Sequence, residues 1–391
     1  MSSVQERDHQ YIAGTYARFP VTLVSGKGSL AYDEDGKEYI DMGTGIGVDA
    51  FGYGDETWLK AVDAQLHKIQ HTSNLYYTEP AVELAELLCK KTGMAKVFFG
   101  NSGAEANETA IKAARKYQAE HKGPEYSTII TMKESFHGRT LTTLAATGQE
   151  HYHELFQPLT PGFVHAEINN LDSVRQLVHD NKVAAIMFEC VQGEGGVVNL
   201  DADFIKGMDE IAKENDILLI VDEVQTGNGR TGKMYSYMHF GIEPDIVSTA
   251  KGIGGGLPIA ACLLSEKVQN VFGFGDNGTT YGANPVCCAG AVSVISRIDD
   301  ELLKGVQERS DYIKSELEGA SGVKGISGLG LILGIATERP AGDVVKDCLD
   351  HGVLCLTAKD KVRLLPALNI PMEDLKKAVT VIKEACAKVG E

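Results

Sequence analysis

ILLIVDE (Ile217–Glu223) and DIVSTAK (Asp245–Lys251) are the two stretches that decide the fold. Each is a short apolar run that ends in a charged residue. A strand that is apolar at successive positions, rather than at alternate ones, is buried on both faces. Such strands are typical of parallel sheets that helices cover on both sides. The two runs therefore predict strands of a mostly parallel sheet in an α/β protein.

Further apolar runs of strand length lie on both sides of these two, and segments of helical period separate them. In residues 203–215, for example, Phe204, Met208 and Ile211 share one face of a predicted helix. The strands predicted for the sheet are Lys96–Phe99, Thr128–Met132, Ala184–Phe188, Ile217–Val221, Ile246–Ser248 and Ile259–Leu264.

The two ends of the chain have a different pattern. Residues 1–50 contain short strands, with a hairpin turn predicted at Asp35-Gly36. After Asn284 the pattern is helical to about residue 320. Short strands are then predicted at 329–336, 353–356 and 362–365, with a helix from about 373. Because 391 residues exceed a single core of about 250–300 residues, we expect a large domain and a smaller second α/β domain.

Composition excludes several classes of protein. A hydrophobic fraction of 43% and a charged fraction of 23% are those of a globular protein, not a disordered one. The net charge of −17 disfavours nucleic acid as a partner. The first ten residues lack the pattern of a secretory signal, and no apolar run approaches the ~18 residues of a membrane span. Eight cysteines without a C-x-x-C pair predict buried, reduced thiols in a cytoplasmic protein.

Two motifs suggest other chemistry but lack the required context. Residues 227–232 match G-x-G-x-x-G, but no clean helix follows them and no acidic residue lies about 20 positions on, so a dinucleotide site is not predicted. The histidine pairs 67/71 and 151/153 have no further ligands at a recognisable spacing. Since metal sites need three or four convergent ligands, no metal site is predicted.

The segment Asn101-Ser102-Gly103-Ala104-Glu105 lies between a predicted strand and a predicted helix. Ser102 and Glu105 have the spacing of a capping box, so an ordinary capped helix is one interpretation. The small residues would also leave the first amides of the helix uncovered, and the helix dipole favours an anion there. A phosphate group could therefore bind to the amides of residues 102–104.

Asp222 and Lys251 come at the carboxyl ends of two predicted strands, where α/β sheets bind their ligands. Either residue alone could form a structural ion pair. A lysine among apolar strands, however, can have the pKa of its amine lowered and attack carbonyl groups. A nearby aspartate could keep a ring nitrogen protonated. Together with the anion site, these residues suit the aldehyde, pyridine nitrogen and phosphate of pyridoxal 5′-phosphate.

Six segments resemble, in order, those of the class III (ornithine-type) aminotransferases, and the similarity covers nearly the whole chain. They are NSGAEANETAIKAAR, ESFHGRT, VQGEGGV, LLIVDEVQTGNGRTG, STAKGIGGGLPIAA and TTYGANP. The resemblance implies the fold type I architecture of aspartate aminotransferase, with a mostly parallel seven-stranded sheet in the large domain. It implies a small domain built from residues 1–50 and 285–391, and a large cofactor-binding domain at 51–284.

The resemblance also implies how the cofactor is bound. Lys251 would attach it covalently and later act as the general base, and Asp222 would pair with the pyridine nitrogen. The remaining cofactor contacts would come from Phe136 (stacking on the ring), Gln225 (on the side of the ring hydroxyl), and Ser102, Gly103 and Ala104 (phosphate). The partner subunit's Thr280 would add a phosphate contact, which implies a homodimer with shared active sites.

For the substrates, the resemblance implies that Arg139 binds the α-carboxylate. Glu194 and Arg363 resemble a family pair that manages the second carboxylate of glutamate. QHTSNLYYTEP and the chain length most resemble the members that act on acetylornithine. The expected reaction converts N2-acetyl-L-ornithine and 2-oxoglutarate into N-acetyl-L-glutamate 5-semialdehyde and L-glutamate, and arginine biosynthesis uses it in reverse.

Other functions stay open at this point. Ornithine, succinylornithine or 4-aminobutyrate could be the amine donor, succinyl-diaminopimelate could be a second substrate, and the same fold supports racemases and mutases. A ligand-sensing domain without activity is a remote alternative, because Lys251, Asp222 and Arg139 form a complete catalytic set.

The chain also departs from the family pattern. Ala104 stands where a threonine is common, so only its backbone amide can contact a phosphate. Cys190 and Asn228 replace a common proline and a common phenylalanine, and none of these three changes is expected to affect the chemistry. Residues 51–56 depart from the usual L-G-H-x-H-P.

Overall fold

The computed structural model describes residues 3–388. The helices of this part of the chain are α1 (Val4–Tyr11), α2 (Thr44–Gly47), α3 (Glu56–Leu66), α4 (Glu79–Thr92), α5 (Gly103–His121), α6 (Leu141–Ala146), α7 (Leu171–Asp180), α8 (Ala202–Glu214), α9 (Pro285–Ile295), α10 (Asp300–Leu317), α11 (Ala341–Asp350) and α12 (Met372–Ala387).

The strands are β1 (Leu23–Lys27), β2 (Leu30–Asp33), β3 (Glu38–Asp41), β4 (Lys96–Gly100), β5 (Thr128–Met132), β6 (Phe163–Ala166), β7 (Val183–Phe188), β8 (Val191–Gln192), β9 (Val198–Asn199), β10 (Leu218–Asp222), β11 (Ile246–Thr249), β12 (Ala260–Leu264), β13 (Val323–Leu329), β14 (Ile332–Thr337), β15 (Val353–Leu354), β16 (Leu356–Ala358) and β17 (Lys361–Leu364).

The central sheet has seven strands in the order β4-β12-β11-β10-β7-β5-β6. Strand β12 pairs antiparallel with both of its neighbours, and the other neighbouring pairs are parallel. The mostly parallel sheet predicted from the sequence is therefore confirmed. Six of its strands were predicted to within about a residue at each end, and β6 was missed.

Helices cover both faces of this sheet, which explains why its strands are apolar at every position. Along β10, Leu218 and Ile220 belong to one hydrophobic cluster, whereas Leu219 and Val221 belong to another. Helix α5 packs on β11 and β12, and α8 packs on β7 and β10. Since successive side chains of a strand point to opposite faces, a strand between two helical layers needs apolar residues throughout.

The two ends of the chain share a sheet. Strand β15, near the carboxyl end, pairs parallel with β3 of the first fifty residues, and the sheet order is β1-β2-β3-β15. Strands β13, β14, β17 and β16 form a second sheet. Helix α9 packs against α3 and α4. The division into domains at residues 50 and 284 stays a prediction.

Two expectations about the chain ends were wrong. The strand predicted at 329–336 is a hairpin of β13 and β14, in which Gly330 adopts a left-handed conformation (φ +57°). A Cβ atom at Gly330 would lie 2.5 Å from the Arg230 carbonyl oxygen, so the turn requires glycine. The strand predicted at 353–356 divides at Cys355 into strands of two different sheets. Helix α1 was not predicted.

Seven of the eight cysteines are buried, and all eight are free thiols. Within residues 3–388, no helix combines the length and the apolar character needed to cross a membrane.

Candidate active site

A cavity of about 430 Å³ opens at the edge of the central sheet where β10 and β11 end. These strands are parallel neighbours, so Asp222 and Lys251 reach the same edge. Strand β4 ends at this edge too and leads into α5. Nine of the eleven predicted site residues line the cavity: Ser102, Gly103, Ala104, Phe136, Arg139, Glu194, Asp222, Gln225 and Lys251.

The Asp222 carboxylate is buried and accepts three hydrogen bonds. Its Oδ2 accepts from Asn107 Nδ2 and from His137 Nδ1, both at 2.8 Å. Its Oδ1 accepts from the Val224 amide at 2.9 Å. These bonds hold the carboxylate in one orientation at the cavity wall, as the partner of a ring nitrogen requires.

Lys251 follows β11 and begins a short 3₁₀ turn, Lys251–Ile253. Its backbone is left-handed (φ +48°), which is uncommon for a lysine. Burial lowers the pKa of its amine, although the Glu194 and Asp222 carboxylates act in the opposite direction. Among residues 3–388 the amine has neither a hydrogen-bond nor an ion-pair partner, so it is free to react at the cavity.

The start of α5 provides an anion site. The Ser102 hydroxyl caps the helix by accepting from the Glu105 amide at 3.3 Å. Within the described chain, the amides of Gly103 and Ala104 have no acceptor. A Cβ atom at Gly103 would lie 2.7 Å from Val224 Cγ1, so the Val224 side chain packs directly against the backbone of Gly103 and leaves no room for a larger residue. Two free amides at a helix start fit a phosphate group.

Glu194, Gln225 and Arg363 form a hydrogen-bonded group at one side of the cavity. Arg363 Nη1 donates to Glu194 Oε1 at 2.5 Å and to Gln225 Oε1 at 3.3 Å, while Gln225 Nε2 donates to Glu194 Oε1 at 3.2 Å. Burial by itself would raise the pKa of Glu194, but the charge and hydrogen bond of Arg363 bring it below its usual value. Arg363 Nε is buried and has no partner within the described chain. Arg363 does not line the cavity, but its hydrogen bond to Glu194, which does, connects it to the site.

The comparisons with known proteins agree with this geometry. The family model for class III aminotransferases matches residues 11–386. The chain belongs to the class III aminotransferases. Members of this family depend on pyridoxal 5′-phosphate.

Individual class III aminotransferases resemble this one over their full length. The acetylornithine aminotransferase of Haemophilus ducreyi is 48% identical over 99% of both chains. The succinylornithine transaminase of Citrobacter koseri is 40% identical over 100% of this chain and 98% of its own. The crystal structure of the ornithine aminotransferase from Toxoplasma gondii superposes with a TM-score of 0.93 at 30% identity, covering 98% of this chain and 94% of that one.

Three residues of the aminotransferase site were missed in the sequence. Asn107 and His137 bind Asp222, and Glu189 lines the cavity. Burial raises the pKa of Glu189, and the nearby Asp222 charge adds to this effect. Asn107 could have been found because it is a polar residue on the buried face of α5. Glu189 directly follows the apolar run of β7, so it could have been found in the same way as Asp222. His137 lies in a loop, where no periodicity marks a side chain as buried.

Asn228, one of the three departures that are not expected to affect the chemistry, supports the residue before Lys251 in this aminotransferase. The Asn228 side chain is buried, and its Nδ2 donates to Thr249 Oγ1 at 2.9 Å and to the Ala250 carbonyl at 3.1 Å. Asn228 does not line the cavity, so the expectation that this departure leaves the chemistry unchanged stays a prediction.

Thr280 does not line the cavity of its own chain. Its side chain is exposed, one residue after Thr279, whose Oγ1 accepts from Asn101 Nδ2 at 2.9 Å. The predicted contact to a partner subunit's phosphate site stays a prediction.

Proposed function

We propose that this aminotransferase binds pyridoxal 5′-phosphate in the cavity and transfers the δ-amino group of N2-acetyl-L-ornithine to 2-oxoglutarate. The observation that carries the proposal is the convergence of Lys251, the Asp222 carboxylate and the free amides of Gly103 and Ala104 on one cavity. These are matched to the aldehyde, the pyridine nitrogen and the phosphate of the cofactor.

Each of these groups has a defined task. The amides of Gly103 and Ala104 bind the phosphate, Phe136 packs on the ring, and Asp222 stabilises a protonated ring nitrogen. When bound, the cofactor supplies an electron sink for the carbon that carries the amine. Lys251 would hold the cofactor covalently and would move the proton at that carbon. Burial favours the neutral form of its amine, which is the form that can accept a proton.

Arg139 binds the α-carboxylate of the substrate, because its guanidinium lines the cavity and has no carboxylate partner among residues 3–388. Glu194 pairs with Arg363 while acetylornithine is bound and leaves it when the second carboxylate of glutamate or 2-oxoglutarate arrives. The family resemblance places Gln225 at the ring hydroxyl of the cofactor. In this chain the Gln225 side-chain amide already forms hydrogen bonds with both Glu194 and Arg363, so the two roles compete for the same group.

The choice of acetylornithine rests on the 48% identity to the Haemophilus ducreyi enzyme over nearly all of both chains. The test is kcat/KM for acetylornithine, ornithine, succinylornithine, 4-aminobutyrate and succinyl-diaminopimelate, each with 2-oxoglutarate. We expect the largest value for acetylornithine. A value for another amine that exceeds it by about tenfold, or about 1.4 kcal/mol, would reassign the substrate.

We also propose that the enzyme is a homodimer in which the partner subunit's Thr280 completes each phosphate site. Support comes from three consecutive exposed apolar side chains, Leu75, Tyr76 and Tyr77, which follow Asn74, whose Nδ2 donates to the Gly282 carbonyl two residues after Thr280. Sedimentation should give twice the chain mass. If it does, Thr280→Ala should weaken cofactor binding without changing the sedimentation coefficient.

A further inference from the structure

The guanidinium of Arg139 lies against two aromatic rings. Its Cζ is 4.2 Å from the ring centroid of Tyr152 and 5.3 Å from that of Phe136. The two rings meet edge to face, with 5.9 Å between their centroids. Phe136 and Arg139 line the cavity, whereas Tyr152 is not one of the lining residues. Tyr152 therefore contacts the arginine without lining the cavity itself.

Apart from the rings of Tyr152 and Phe136, little restrains the Arg139 side chain. Within the described chain it forms no ion pair and no side-chain hydrogen bond, and the residue is exposed. A long side chain without a partner populates many rotamers, and a ligand that selects one of them loses affinity. A guanidinium stacked on an aromatic face keeps its hydrogen-bonding edge free while its plane is restricted.

Tyr152 is itself anchored to the loop that carries Arg139. The Tyr152 amide donates to the Gln149 carbonyl at 3.2 Å, and Gln149 Nε2 donates to the Ser135 carbonyl at 3.2 Å. Residue 153 is anchored as well, since His153 Nε2 lies 2.9 Å from the Leu144 carbonyl oxygen and 2.8 Å from that of Thr147. The ring is thus held at a defined place relative to the loop.

We propose that Tyr152 is a positioning residue that orients Arg139 and thereby sets the preference of the enzyme for amines that carry a carboxylate. This inference rests on the proposed function, in which Arg139 binds the substrate carboxylate. It adds a residue that does not line the cavity. The interaction requires the aromatic face of Tyr152 and not its hydroxyl.

Two amines that differ only in the carboxylate provide the test: N2-acetylornithine and N-acetyl-1,4-diaminobutane. The ratio of their kcat/KM values measures carboxylate recognition. In Tyr152→Leu we expect this ratio to fall by about threefold to tenfold, as the loss of a partly exposed cation–π contact predicts. Tyr152→Phe should keep the ratio within about twofold of wild type. Tyr152→Met provides the same comparison should the leucine variant fail to fold.

A matched control is Tyr126→Leu, which removes a ring near Lys122 and Lys182 at the opposite end of β5. It should leave the ratio unchanged. A second readout is independent of turnover: calorimetric binding of glutarate, a dicarboxylate without an amine, should weaken in Tyr152→Leu and not in Tyr152→Phe.

The outcomes separate the two proposals. If the wild-type kcat/KM values for the two amines are equal, Arg139 does not bind the substrate carboxylate, and the proposed function fails together with this inference. If the wild type distinguishes them and Tyr152→Leu does so equally well, only the role of Tyr152 is overturned. A loss of the ratio in Tyr152→Phe as large as in Tyr152→Leu would also overturn it, because the ring would not be what matters.

Discussion

Arg363 and Glu194 lie 169 positions apart in the sequence and form an ion pair at the cavity, with 2.5 Å between Nη1 and Oε1. The Arg363 side chain is 4% exposed and that of Glu194 is 26% exposed. For a pair at this depth, the cost of desolvation offsets much of the Coulomb attraction. A substrate carboxylate can therefore compete for Arg363, and the pair can serve two substrates at one site.

Glu194→Ala should leave Arg363 available at all times. The half-reaction with glutamate should keep or increase its kcat/KM, and selectivity for acetylornithine over glutamate should fall by about tenfold, or about 1.4 kcal/mol. Arg363→Ala should mainly impair the glutamate half-reaction. Cofactor absorbance with each amine alone measures both. Arg339→Ala, which breaks the remote pair with Asp347, is the control. Equal effects of both site variants on both amines would mean that the pair is only structural.

Lys251→Ala should lose turnover by several orders of magnitude, because the variant has no amine to attach the cofactor or move the proton. It should still bind the cofactor noncovalently. After borohydride reduction, mass spectrometry should find a cofactor adduct in the wild type and none in the variant. Lys267→Ala, at a surface lysine paired with Asp216 and Asp245, is the control and should keep full activity. Near wild-type turnover in Lys251→Ala would refute the assignment.

Asp222→Asn should reduce kcat more than it raises KM. An amide cannot stabilise a protonated ring nitrogen as a carboxylate does, since charge-assisted hydrogen bonds are about twice as strong as neutral ones. The new amide nitrogen would also face a donor, either Asn107 Nδ2 and His137 Nδ1 at the position of Oδ2 or the Val224 amide at that of Oδ1, which should destabilise the fold by about 1–3 kcal/mol. Single-turnover rates and thermal unfolding test the two effects separately. An unchanged single-turnover rate would contradict the role of Asp222.

Asp49→Asn should stabilise the protein in a pH-dependent way. Burial raises the pKa of Asp49 to about 6, and the Asp41 carboxylate adds to the shift. The folded state therefore holds a proton that the unfolded state loses near pH 4, so the folded protein loses stability as the pH rises from about 4 to about 6. The variant has no carboxyl group at this position, so it does not lose this stability as the pH rises. We expect a gain of about 1 kcal/mol at pH 8, discounted for partial exposure, and none at pH 4. Denaturant unfolding at both pH values measures the difference, and an equal gain at both would contradict it.

Asn228→Ala should destabilise the fold by about 1–3 kcal/mol, because it removes two buried hydrogen bonds, one to Thr249 Oγ1 and one to the Ala250 carbonyl, which keeps only its bond from the Ile253 amide. It should also loosen the turn at Lys251. The protein has one tryptophan, Trp58, whose Nε1 donates to the Gly254 carbonyl at 3.0 Å, so its fluorescence reports on this turn. Asn228 has a left-handed backbone (φ +56°), so Asn228→Gly removes the side chain without adding backbone strain. If the glycine variant is as stable as wild type, the side-chain bonds contribute nothing.

Much of the fold and part of the site follow from local sequence. Continuous apolar runs such as Ile217–Val221 require helices on both faces, and a charged residue after such a run must lie at the edge of the sheet. Asp222, Lys251 and the start of α5 could therefore be located before any coordinates were known. The same pattern did not predict β6 or the hairpin at Gly330, since both depend on contacts with neighbouring segments of the chain.

Only the tertiary structure decided which side chains form hydrogen bonds or ring contacts with one another. The partners of Asp222 come from α5 and from a loop 85 positions away, and Gln225 bonds an arginine 138 positions away. Asn228 supports Ala250 across 22 positions, and Tyr152 stacks on Arg139 from a separate turn. The sequence determined the parallel sheet and the residues at its edge, because backbone periodicity is local. It could not determine these contacts, because a hydrogen bond or a stacked pair depends on distances that exist only after the chain has packed.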